Sequence, residues 1–163
     1  MYISLYIDIT FKMSNSNELT SQSTNTKKFN TNMDRLLQTL SNFYPEDNDL
    51  KLYHEKFRTV IHVNAKLVSQ YFLHYTESRI GPIIQRDDSF FLQKVDYKEI
   101  TQNQKALEII QKVLTLWTTT VNEKLKKTIG DYIELLLIYA IKAHRRQDLV
   151  TVVNSIRKKP ISL

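Results

Sequence analysis

The sequence predicts an all-α fold: a small bundle of four to five helices behind a disordered N-terminal tail. Apolar residues recur at spacings of three and four through most of the chain after Asn32, the period of a helix that buries one face. Only two glycines and three prolines occur in 163 residues, too few for the many turns of a sheet-rich fold. A hydrophobic share of 42% against 25% charged is enough to bury a core.

Residues 1–12 are the exception to helical spacing. Ile3, Leu5, Ile7, Ile9 and Phe11 alternate and would share one face of a strand. A lone strand leaves its edges unsatisfied, and the chain offers no evident partner. The alternative expectation is that Met13 is the natural start. Residues 14–32 are almost wholly Ser, Asn, Thr, Gln and Lys, a composition that cannot offset chain entropy by burial. Residues 1–31 are therefore expected to be a disordered tail, and residues 32–163 a single helical domain.

Within that domain Met33, Leu36, Leu37, Leu40 and Phe43 mark a first helix, with Asn32 as its N-cap. Tyr44-Pro45-Glu46-Asp47-Asn48 reads as a turn. Leu50, Tyr53, Phe57, Val60, Leu67 and Tyr71 predict one long helix from about Asp49 to Glu77, with a break at Asn64 and a stop at Gly81-Pro82. Residues 83–101 follow no period and read as an ordered connector. Thr101 and Gln104 match a capping box before the stripe Leu107, Ile110, Val113, Leu114 and Trp117. A second match, Thr120 and Glu123, opens the stripe Val121, Leu125, Ile129, Ile133, Leu136, Leu137 and Ala140. That segment, Thr120 to Arg146, is the expected central helix. The short link before it predicts an antiparallel hairpin with its predecessor. Asp148 would cap a last helix carrying Leu149, Val152, Val153 and Ile156, ended by Pro160.

Few chemistries survive a search for motifs. There is no cysteine, so disulfides, thiol nucleophiles and thiolate metal sites drop out. Gly81 and Gly130 are the only glycines and cannot build a phosphate-cradling loop. Gly130 falls inside the central helix, at a cost of roughly 1 kcal/mol against alanine, and close helix–helix approach is the expected reason. His74 and Glu77 share a helical face, but two ligands do not make a metal site. Asp87, Asp88, Asp96 and Glu99 supply carboxylates without the unlike environments that acid–base catalysis needs. No catalytic residue, cofactor or metal is expected. The longest apolar run, near Leu135 to Ile138, falls far short of the roughly 20 residues of a membrane helix.

Charge is distributed unevenly. Residues 121–163 hold nine Lys and Arg against four Asp and Glu, whereas residues 1–120 hold fourteen against thirteen. Lys124, Lys126, Lys127, Arg145, Arg146, Arg157, Lys158 and Lys159 are the candidates for contact with phosphate or an acidic partner. They are scattered over two helices and a tail, and no aromatic residues are interleaved with them as stacking platforms. A solvated basic surface is the simpler expectation.

Arg86-Asp87-Asp88-Ser89-Phe90-Phe91-Leu92, a following helix ending in Leu116-Trp117, and a later helix with Tyr132-Ile133-Glu134-Leu135-Leu136 together resemble a group of small helical proteins from mimivirus-like giant DNA viruses. The resemblance covers roughly residues 34–145. It departs at Gly130, where the group carries a bulkier aromatic. It implies a viral protein without assigned activity, packaged in the particle, located in the virion or host cytoplasm. It brings no catalytic residues. The expected function is a non-enzymatic structural or protein-binding helical protein. The alternative is a nucleic-acid-associated protein using residues 121–163.

Overall fold

The computed structural model describes residues 2–89 and 104–163, with side chains from residue 23 onward. The described residues are helical and contain no strand. Six helices have ten or more residues: α1 (Tyr2–Phe43), α2 (Asn48–Val63), α3 (Leu67–Thr76), α5 (Gln104–Thr119), α6 (Glu123–Ala143) and α7 (Gln147–Ile156); the one-turn α4 (Ile80–Ile84) lies between α3 and α5. The bundle thus exceeds the expected four to five helices.

The N-terminal segment is not a strand. α1 begins at Tyr2, so the alternating residues are helical. A helix satisfies its backbone groups internally, which a strand without a partner cannot do. The boundary expected at residue 32 is also misplaced. Phe29 is fully buried, and Thr26 and Asn30 are 4% and 9% exposed. Phe29 extends the apolar stripe of Met33, Leu36, Leu37 and Leu40 by one turn, and all five are fully buried. Its ring meets that of Phe72 edge-on at 5.5 Å, tying α1 to α3. Asn32 is therefore interior to α1, and its Nδ2 donates to the Lys28 carbonyl.

The expected long second helix breaks where Asn64 stands. The Asn64 backbone is extended, and its Oδ1 accepts from the Lys66 N–H, an Asx turn that competes with helix continuation. α2 starts on an Asp47 cap, whose side chain accepts from the Leu50 N–H. Gly81-Pro82 is no terminator: α3 has already passed into a 3-10 turn, Glu77–Arg79, and both residues lie within α4. Pro82 falls in a first turn, where a missing N–H costs little.

α6 is central, as its apolar spacing predicts. It packs most extensively on α1 and also touches α3, α4, α5 and α7. Leu125, Ile129, Ile133, Leu136, Leu137, Ala140 and Ile141 are all buried. The hairpin expectation is only weakly met, because α5 packs more on α2 and α3 than on α6. The cap also differs. Asn122 accepts from the Leu125 N–H at 2.9 Å, while the Thr120 hydroxyl is buried against the Tyr44 hydroxyl at 2.9 Å. The capping-box expectation at Thr101 lies outside the described residues. α7 begins without a side-chain cap. Asp148 instead pairs with the Arg146 guanidinium. α7 ends at Ile156, before Pro160. Asn154 then donates to the Ile161 carbonyl and accepts from its N–H, folding the last residues back onto α7.

Gly130 makes room for side chains rather than for a neighbouring helix backbone. A Cβ there would stand 3.1 Å from Arg86 Cδ and 3.2 Å from Trp117 Nε1. Arg86, itself at φ 59°, crosses the face of α6 and binds Asp131 at 2.7 Å and Glu134 at 2.9 Å.

Candidate functional site

The basic residues of the C-terminal part do not converge on one surface. Lys126 pairs with Asp88 at 2.6 Å, Lys127 with Asp131 at 2.8 Å, Arg146 with Glu77 and Asp148 at 2.8 Å each, and Arg157 with Glu134 at 2.8 Å. Arg86 shares Asp131 with Lys127 and Glu134 with Arg157, so five charges run in one chain of pairs along α6. The Asp131 carboxyl is raised by its burial, but the Lys127 and Arg86 bonds outweigh this and hold it below the usual carboxylate range. Arg146 is held above the usual arginine value by Asp148 and Glu77. Lys124, Arg145, Lys158 and Lys159 are exposed. Arg145 adopts a left-handed φ of 51° at the end of α6. At least four of the eight candidates, Lys126, Lys127, Arg146 and Arg157, thus serve the fold, a role that sequence spacing does not reveal because most of their acids lie on other elements.

The fold also brings together groups that look reactive. Ser69 Oγ lies 2.9 Å from His144 Nε2, a pair 75 positions apart that sequence reading missed. The same hydroxyl donates to the Lys66 carbonyl at 3.0 Å. Its single proton is thus engaged, so His144 Nε2 is the donor of the pair. A base that donates to a fully buried serine is not activating it. Burial first, then the Lys66 and Arg146 charges, push the His144 ring below the ordinary histidine range. His74 Nδ1 and Glu77 stand 3.8 Å apart, but Arg146 occupies Glu77. Among the described residues no group of three His, Cys, Asp or Glu is placed to hold a metal. Asp88 is bound by Lys126 and Asp87 by the Ser89 hydroxyl; Asp96 and Glu99 lie outside the described residues.

A different place has the character of a site. A cleft of about 710 Å³ lies between one face of α1, from Ser23 to Arg35, and the elbow of Ile61, Ala65 and Lys66 that joins α2 to α3. Asn30 spans it, its Nδ2 donating to the Ala65 carbonyl at 2.9 Å. Asn30 Oδ1 and Thr26 Oγ1 are buried with no hydrogen-bond partner. Asp34, on the same face, is bound by Arg58 Nε at 2.9 Å and His54 Nε2 at 2.7 Å. The Arg58 bond chiefly holds its carboxyl below the usual range. None of the cleft residues of α1 was a sequence candidate, and five of them, Ser23, Thr26, Lys27, Asn30 and Thr31, lie in the polar segment read as a tail. The signal available was Phe29, four positions before Met33 on the same stripe.

No family model matches the chain, no curated protein matches its sequence, and no solved structure matches its fold.

Proposed function

We propose that this chain is a non-enzymatic, protein-binding helical protein. The observation that supports it most is the end of the bundle where α1 stops and α6 begins. Phe43 is 47% exposed and Val121 93% exposed. The Tyr44–Thr120 hydrogen bond holds their two segments together, so both apolar side chains are presented at one end. Apolar groups at one solvent-facing location are what a partner surface uses. The ion pairs of Lys126, Lys127, Arg146 and Arg157 argue against the alternative, nucleic-acid binding through the basic C-terminal part. The likeness of the Arg86–Leu92 and Leu116–Trp117 segments to giant-virus proteins extends the proposal to a place in the virion.

The test is capture by chemical cross-linking with the wild-type chain and with the double variant Phe43→Ser, Val121→Ser. The reading expects a protein adduct that the double variant loses while its melting temperature stays unchanged. Adducts formed equally by both chains overturn it.

A further inference from the structure

The volume of the cleft, about 710 Å³, lies inside the roughly 300–1,000 Å³ range of small-molecule sites. Its polar groups are not at rest. A buried acceptor or hydroxyl without a partner costs about 1–3 kcal/mol, and here two such groups, Thr26 Oγ1 and Asn30 Oδ1, sit one turn apart on α1. The Asn30 amide gives one N–H to the Ala65 carbonyl, while its oxygen is buried without a partner and can only accept. A ligand that satisfies that oxygen must therefore bring an N–H or O–H. The rim supplies the second requirement. Lys27, Arg35 and Lys66 line the cleft, and Asp34, its acid, is already bound by Arg58 and His54. The field at the rim therefore favours an anion. Ile61 and Ala65 add an apolar wall suited to the face of a ring.

We propose that the cleft between α1 and the α2–α3 elbow binds a small phosphorylated ligand that also carries a hydrogen-bond donor, the chemistry of a nucleoside monophosphate. The ring amino or sugar hydroxyl group donates to Asn30 Oδ1, Thr26 Oγ1 completes the polar floor, and the phosphate lies toward Lys27, Arg35 and Lys66. This goes beyond the protein-binding reading and does not depend on it. The Phe43→Ser, Val121→Ser variant is expected to bind such a ligand unchanged even if that reading fails.

Isothermal titration of the full chain with adenosine monophosphate tests the proposal, with adenosine and inorganic phosphate as the two halves of the ligand. The expected result is a dissociation constant of about 1 mM or tighter for the monophosphate and weaker binding of either half. Lys66→Ala is expected to weaken binding by about tenfold through the lost charge-assisted bond. Thr26→Val removes a buried hydroxyl that has no partner in the free protein. It is expected to weaken the ligand while leaving the melting temperature of the free chain unchanged or higher, a combination that a purely structural Thr26 would not give. Absence of binding, binding unaffected by both substitutions, or inorganic phosphate binding as tightly as the monophosphate each overturns the proposal.

Discussion

Gly130 illustrates how one missing Cβ can be needed inside a helix. Alanine would gain up to about 1 kcal/mol of helix propensity, but its Cβ would meet Arg86 and Trp117 at 3.1–3.2 Å. Neither neighbour yields easily. Arg86 is bonded to Asp131, Glu134 and the Ile83 carbonyl, and Trp117 is 2% exposed. Overpacking of this kind costs about 1–3 kcal/mol, so Gly130→Ala is expected to lower stability by about 1 kcal/mol net in chemical denaturation. A more stable variant would show that Arg86 moves aside. His144 makes a second residue-scale prediction. Its depressed folded-state value means that the folded chain binds fewer protons than the unfolded chain from just below 6.5 downward. Stability therefore rises with pH across that window and is lost as pH falls through it. His144→Gln keeps a donor for Ser69 and removes the titration, so its melting temperature is expected to vary less than that of the wild type between about pH 5 and 7. Parallel profiles would contradict the assignment.

Among the elements, the apolar stripes were the legible part. The buried face of α6 from Leu125 to Ala140 and the burial of Leu107, Ile110, Val113, Leu114 and Trp117 follow from residue spacing, whereas Val121, placed on the same stripe, is 93% exposed. What was not legible depends on competition between partners. Thr120 was a sound cap in isolation, yet Tyr44, 76 positions away, takes its hydroxyl, and Asn122 caps instead. The polar start of α1 was misread because composition reports intrinsic cost, while Phe29 gains its burial from Phe72 on another helix. Two substitutions test these interfaces against a control. Phe29→Ala is expected to cost about 3–5 kcal/mol and Leu136→Ala about 2–5 kcal/mol, as truncations in a packed core. Lys142→Ala is expected to stay within about 0.5 kcal/mol. A neutral Phe29→Ala in urea unfolding would restore the boundary at residue 32.

At the scale of the whole molecule at least four of the nine cations in residues 121–163 are drawn into ion pairs that brace the fold. Glu77, Asp88, Asp131, Glu134 and Asp148 each hold at least one of them, and the chain Lys127–Asp131–Arg86–Glu134–Arg157 binds α6 to the segments on either side. Reversing Arg157, Lys158 and Lys159 to Glu is therefore not neutral for the fold, since a carboxylate at position 157 would face Glu134. The formal charge was readable from the sequence; its partition between surface and internal pairs was not, because Glu77 and Asp88 lie 69 and 38 positions from their partners. The salt dependence of duplex DNA binding reads that partition directly. If all eight candidate cations met phosphates, log affinity would fall against log salt with a slope of about 7. With Lys126, Lys127, Arg146 and Arg157 held by carboxylates, the slope is expected to be about 4 or shallower and the complex weak. A tight complex with a slope near 7 would contradict the account and make nucleic acid the partner.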